Sequence, residues 1–223
     1  MHPYGAYQYE IKPMPQSTQL FKAWQHQIHY YTRKTVEIDT AVDSALEEHV
    51  PDILCSAFVD SCIPRGLTIK EGGSKYDFIS GLQVGIANLG NSLAAIKKLV
   101  YEEKRIGRED LLKALEENFE GKEGEKIRQL LLNYAPKYGN DDDYVDLLLK
   151  DAYMEFISEL ENYRTTRYKR GPIGCKYYAG TSSISANVPS GAVVPATPDG
   201  RKAFTPVAEG SSPSSGTDLL GPT

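Results

Sequence analysis

The chain has 223 residues, 25% of them charged and 40% hydrophobic, which is the composition of a soluble globular protein of one large or two small domains. Its formal net charge of -5 argues against nucleic acid as the main partner, since phosphate binding needs a basic surface. No apolar run reaches the length of a membrane span, the first residues lack a signal-peptide pattern, and three cysteines without CxxC spacing give neither a disulfide framework nor a zinc site, so a cytoplasmic location is expected.

Ser17 or Thr18 can accept from an unpaired backbone N–H, and one long helix is expected from Ser17 to His49. Along it Trp24, Ile28, Tyr31, Thr35, Ile38, Val42 and Ala45 recur at alternating spacings of four and three and mark one stripe. Pro51 ends or kinks this helix. A second helix is expected from about Asp52 to Cys62, with Cys55 and Cys62 on one face as small buried thiols. Ile63-Pro64-Arg65-Gly66 breaks it, Glu71-Gly72-Gly73 makes a tight turn, and Tyr76 to Ala87 reads as an irregular strand. Asn91 is placed to cap a helix over Ser92 to Lys104, and further helices run through Glu109 to Phe119 and Glu123 to Tyr134.

Asp141, Asp142 and Asp143 open another helix that runs to about Tyr163. Successive helix positions point about 100° apart, so these acids do not converge on a metal; they form an acidic first turn facing the helix dipole. The cluster Arg164, Arg167, Lys169 and Arg170 fits the other end of that dipole. After Gly171 a strand is expected from Tyr177 to Val194, followed by loops rich in Gly, Pro and Ser. The last residues, Gly216 to Thr223, have neither a helix terminator nor a charged tail, so a chain cut in mid-domain is expected.

Five blocks, in order, carry a resemblance. They are Asp60-Ser61-Cys62-Ile63-Pro64-Arg65-Gly66, Glu71-Gly72-Gly73-Ser74-Lys75-Tyr76, and Gly85-Ile86-Ala87-Asn88 continuing through Ser92 to Val100. Asn133-Tyr134-Ala135-Pro136-Lys137-Tyr138-Gly139-Asn140-Asp141 and Thr197-Pro198-Asp199-Gly200-Arg201 complete the set. Over about residues 50 to 223 the chain resembles glycyl radical enzymes of the pyruvate formate-lyase, diol dehydratase and arylacetate decarboxylase type; the first fifty residues match only in being helical. The resemblance implies an α/β fold, here a predominantly helical fragment of the family's ten-stranded barrel. Residues 1–223 would be an internal part of a pyruvate formate-lyase-like domain, with 1–170 mostly helical and 171–223 made of strand and loops.

In that family a backbone glycyl radical makes a thiyl on a cysteine in a Gly-Cys-x-Glu loop, and the thiyl abstracts hydrogen from substrate. The two loops meet in a closed, dry barrel because a radical must be passed over short distances away from water. A separate iron–sulfur activase using S-adenosylmethionine installs the radical, so no bound cofactor is expected here. Neither Gly-Cys-x-Glu nor the glycine loop Arg-Val-x-Gly-Tyr occurs in the 223 residues. Gly174-Cys175-Lys176-Tyr177 lies on the wrong side of the Glu71 turn and has Tyr177 where the family has glutamate, so Cys175 reads as an ordinary strand-edge thiol.

What remains is pocket wall. The resemblance places Asn187, Pro189 and Ser190 beside the substrate, with a usually bulky position occupied by Ser190; the added room leans toward an aromatic substrate, as in arylacetate decarboxylases. Ser190 could equally be a turn residue, and Glu71 either faces the pocket or caps its own turn. The function implied is part of a radical lyase that breaks a C–C, C–O or C–N bond, inactive alone, whose partners are the remaining segments of the parent and its activase, with self-association through exposed apolar surface. The alternatives are a non-catalytic helical interaction module of the same descent, or a helical enzyme with Cys175 as nucleophile, for which no base is evident among histidines confined to the first fifty residues.

Overall fold

A computed structural model describes residues 18–171, 173–181 and 185–221. The elements are α1 (Thr18–His49), α2 (Ile53–Phe58), α3 (Cys62–Arg65), β1 (Tyr76–Gln83) and α4 (Ile86–Ala95), which continues as a π-helix over Ile96–Glu102. They are followed by α5 (Arg108–Glu116), α6 (Gly121–Tyr134), α7 (Asp143–Leu160), β2 (Ile173–Thr181) and α8 (Asn187–Gly191). The Ser17 cap lies outside the described residues.

Helix α1 has the expected span, but its buried face is not the expected stripe. Thr32, Val36 and Asp43 are buried, whereas Tyr31, Ile38 and Val42 are 44%, 64% and 50% exposed. The reason is electrostatic as much as apolar. Asp43 pairs with the guanidinium of Arg167, which also takes both carboxylate oxygens of Asp77 at 2.5 and 3.1 Å. A buried charge must be paired, and this pairing rotates α1 so that Asp43 points inward. One turn on, Arg170 binds both oxygens of Glu47. The basic cluster therefore serves mainly α1. Only Arg164 acts as expected at the end of α7, donating to the carbonyls of Glu161 and Tyr163 at 2.7 Å each.

Strands β1 and β2 pair in parallel. The register slips between Asp77 and Phe78, because Asp77 pairs with Gly174 and Phe78 with Lys176, leaving Cys175 as the extra residue of a bulge. The bulge turns Cys175 into the interior, where its Sγ stands 3.9 Å from Asp77 Oδ2; it is a buried thiol, not one at a strand edge. One face of the sheet packs Ile79, Tyr177 and Ala179 against Val36 of α1 and Phe156 and Leu160 of α7. On the other, Phe78, Leu82 and Tyr178 are about half exposed.

Both strands are shorter than the sequence suggests. β1 stops at Gln83 because the chain turns into α4 at Gly85, and β2 stops at Thr181. Of the strand expected from Tyr177 to Val194, residues 182–184 lie outside the described set, and Asn187–Gly191 is a turn of helix. Pro189 is no obstacle there, since a first helical turn needs no N–H from it.

A second core gathers Leu99 and Val100 of the π-helix, Leu111 and Ala114 of α5, Phe119, and Leu131 of α6. Asp142 caps α7 by accepting from the Tyr144 N–H at 3.0 Å, as an acidic first turn should. Asn91 does not cap a helix; it is a buried residue inside α4. Cys62 is buried, but Cys55 is exposed and lies in a different helix.

Candidate functional site

The segment after α8 has almost no regular structure, so its backbone groups need other partners. Three asparagines supply them. Asn88 Oδ1 accepts from the Ala208 N–H at 2.7 Å, and its Nδ2 donates to Asp199 Oδ2 at 2.6 Å and to Ser214 Oγ at 3.4 Å. Asn91 Oδ1 accepts from the Tyr138 N–H at 2.7 Å while its Nδ2 reaches the same Ser214. Asn140 Oδ1 takes the N–H groups of Leu219 and Leu220, and its Nδ2 donates to the carbonyls of Lys137 and Thr217. An amide carries donor and acceptor together, which is why asparagine can clamp irregular backbone, here from α4 and from the loop between α6 and α7.

Between these helices and the segment lies a cleft of about 810 Å³, lined by Asn88, Asn91, Arg128, Lys137, Asn187, Asp199 and Arg201 among others. Arg201 knits its wall, donating to the carbonyls of Val194, Pro195, Lys202 and Thr205. Arg128 Nε holds Gly200 O at 3.0 Å. Lys137 Nζ spans from Leu131 O at 2.8 Å, at the end of α6, to Asp199 O at 3.1 Å. Burial pulls the Lys137 ammonium down to a pKa of about 8, against the nearby Asp199 carboxylate, which works to raise it. The cleft thus offers polar donors, fixed cations and one lysine able to exchange a proton near neutral pH. No group of three or more His, Cys, Asp or Glu suited to a metal occurs among the described residues.

The expected site residues do not converge. Asn187 is buried and lines the cleft. Pro189 and Ser190 follow it on α8, exposed and half-buried respectively, and do not line the cleft. Glu71 is elsewhere. Its Oε2 accepts from the N–H and hydroxyl of Thr68 at 2.8 and 2.9 Å, and the backbone donor is the main reason its carboxyl sits below the usual range. That turn makes glycine compulsory at 73, because a Cβ there would collide with the Leu67 carbonyl. Asn88, Asn91, Asn140 and Lys137 stand in the blocks that carried the resemblance, yet sequence gave no sign that their partners lie up to 126 residues away.

Against known proteins, the pyruvate formate lyase-like family model matches residues 8–191, so α1 belongs to the match as well. The "Probable dehydratase YbiW" of Escherichia coli is 64% identical over 205 residues, covering 92% of this chain and 25% of that protein. The trans-4-hydroxy-L-proline dehydratase of Clostridioides difficile is 36% identical over 207 residues, with the same coverage. A solved structure concerned with 1,2-propanediol dehydration in Roseburia inulinivorans superposes with a TM-score of 0.82 at 43% identity, over 92% of this chain and 26% of the other. The chain therefore spans about a quarter of the length of the relatives it matches. No helix among the described residues is long and apolar enough to cross a membrane. On this match the chain belongs to the pyruvate formate lyase-like family of glycyl radical enzymes.

Proposed function

We propose that the chain is the helical, cleft-walling part of a glycyl radical dehydratase, in which the complete enzyme removes a hydroxyl as water from a small hydroxylated substrate. The observation that carries this is the 64% identity to a probable dehydratase, with further dehydratases at 36% and 34%. The aromatic substrate suggested by Ser190 is not favoured, since an indoleacetate decarboxylase matches at only 32%. This chain contributes wall and positioning. With no Gly-Cys-x-Glu and no Arg-Val-x-Gly-Tyr in its sequence, it carries neither radical nor thiyl and is inert alone. It needs no cofactor of its own, because the radical comes from the S-adenosylmethionine activase. Three free cysteines are in keeping with a reducing, anaerobic cytoplasm.

In the proposed reaction, hydrogen abstraction from a diol carbon is followed by loss of the neighbouring hydroxyl as water. Return of the hydrogen atom leaves an aldehyde, so atoms and electrons balance without an external oxidant. The test is the full-length enzyme, activated anaerobically, offered propane-1,2-diol, glycerol, trans-4-hydroxy-L-proline, isethionate and indoleacetate. Water loss from one of the hydroxylated compounds is expected. Turnover of isethionate or indoleacetate alone would overturn the dehydratase assignment. Incubated with activase and S-adenosylmethionine, the isolated chain should give no glycyl doublet by electron paramagnetic resonance.

A further inference from the structure

Helix α8 is seated on the strip of chain that follows it. The Val207 N–H donates to Asn187 O at 3.3 Å, and Gly191 lies so close to Thr205–Val207 that a Cβ there would collide with the Thr205 carbonyl. That strip is pinned at its far end to the first turn of α4. Gly85 N–H donates to Ala208 O at 3.0 Å, and Asn88 Oδ1 accepts from Ala208 N–H at 2.7 Å.

Asn88 can do this only in one orientation. Its oxygen faces an N–H and its nitrogen faces the Asp199 carboxylate, so the amide is aimed by Asp199. Asp199 has its own anchors, since Oδ1 takes the Thr197 hydroxyl at 2.6 Å and the Arg201 N–H at 3.2 Å. Lys137 holds its carbonyl. Asn88 and Asp199 are 7% and 5% exposed, so neither can turn to water if the other is lost.

We propose that Asn88 and Asp199 form the positioning pair for α8, aiming one amide so that segment 205–208, and with it the helix carrying Asn187 and Ser190, stands at one fixed place beside the cleft. The inference rests on the proposal above that this chain walls the cleft of the complete enzyme, where α8 contributes Asn187. Neither residue is asked to touch substrate; both act through the Ala208 N–H and the strip that bears α8.

Because the bond is directional, exchange of its ends tests it. Asn88→Asp sets two carboxylates against each other across 2.6 Å in the unrelaxed geometry. Asp199→Asn offers the Asn88 amide a partner whose oxygen is already engaged. The double exchange Asn88→Asp with Asp199→Asn restores one donor and one acceptor with the direction reversed. It keeps an oxygen for Ala208 N–H and another for Thr197 and Arg201.

The readouts, in the full-length enzyme, are amide hydrogen exchange over residues 187–208 and the kinetics of propane-1,2-diol. Asn88→Asp should speed exchange at Val207 and Ala208 and raise KM by about tenfold or more, the worth of a hydrogen bond to a charged group, with a smaller change in kcat. The double exchange should return both toward wild type. Unchanged exchange and KM in Asn88→Asp, or a double variant no better than the sum of the singles, would overturn the inference. If Asn88→Asp fails to fold, the double variant decides by the same two readouts. Should wild type remove water from none of the hydroxylated compounds, the dehydratase assignment falls, while hydrogen exchange still judges the pair.

Discussion

Arg167 ties α1 to β1 through charge. One guanidinium satisfies Asp43 of α1 and both oxygens of Asp77 of β1, from a position just beyond α7. Burial alone would lower its pKa, but the two carboxylates outweigh that and raise it. Removing the guanidinium leaves two buried carboxylates facing one another without a counter-ion. We expect Arg167→Met in the full-length enzyme to cost about 3–5 kcal/mol, read from denaturant midpoints. Arg170→Met removes a pair with Glu47 that is far more open to water, and it should cost less than about 1 kcal/mol. Equal losses in the two variants would mean that the ion triad is not what fixes α1.

Lys137 gives a second residue-scale test, with a sign opposite to that of an ion-paired lysine. Burial brings its ammonium down to about 8 in the fold, from the ordinary lysine value of about 10.5 that the unfolded chain keeps. Between those values the unfolded chain holds the extra proton, so the Lys137 contribution to stability rises with pH across that window and is least favourable below it. A neutral amine still has hydrogens for both Leu131 O and Asp199 O. The stability of wild type relative to Lys137→Met should therefore improve from pH 7.5 to pH 10.5, by at most about 3 kcal/mol. Urea titrations of both proteins at the two pH values measure it. A difference that is flat or falls with pH would show that burial does not depress this lysine.

At the scale of elements, what sequence revealed and what it hid divide by range. Helices α1, α5, α6 and α7 were legible because caps, spacing and glycine breaks are local signals, as in Asp142 at the start of α7. The face of α1 was not, because apolar periodicity sees Ile38 and Val42 but not an arginine more than a hundred residues away that draws Asp43 inward. Helix α8 was hidden for a similar reason: β-branched residues favour a strand locally, while Gly191 and the Asn187 carbonyl are held by residues 205–207. The cleft was least legible. Asn91 reads locally as a helix cap, and only the fold shows that Asn88, Asn91 and Asn140 hold the segment beyond α8. The true face of α1 can be checked directly. Val36→Ala removes buried apolar volume and should cost about 2 kcal/mol. Ile38→Ala, at an exposed position, should stay within about 0.5 kcal/mol. The stripe read from sequence demands the reverse order.

At the scale of the whole molecule, the described residues leave much apolar surface uncovered. Ile53, Leu54, Phe58 and Ile63, on α2 and α3, are 71–84% exposed. Among the described residues the sheet has two strands, so each has an outer edge with no strand beside it, that of β2 met only by the bridge between Arg164 and Lys176, and one of its faces leaves Phe78, Leu82 and Tyr178 half open. Exposed edges and contiguous apolar patches drive association unless something covers them. The chain spans 25% of the length of such a relative, and on the function proposed above the rest of the enzyme covers these surfaces. Expressed alone, the chain should therefore self-associate, with a weight-average mass that grows with concentration in sedimentation equilibrium and a broad thermal transition. Leu54→Glu with Phe58→Glu should lower that mass at fixed concentration by charging the α2 patch, while leaving the Arg167 triad and the Asn88–Asp199 pair intact. A monodisperse monomer with a sharp two-state melt would show that this much of the barrel closes on itself, and would turn the balance toward a free-standing interaction module of the same descent.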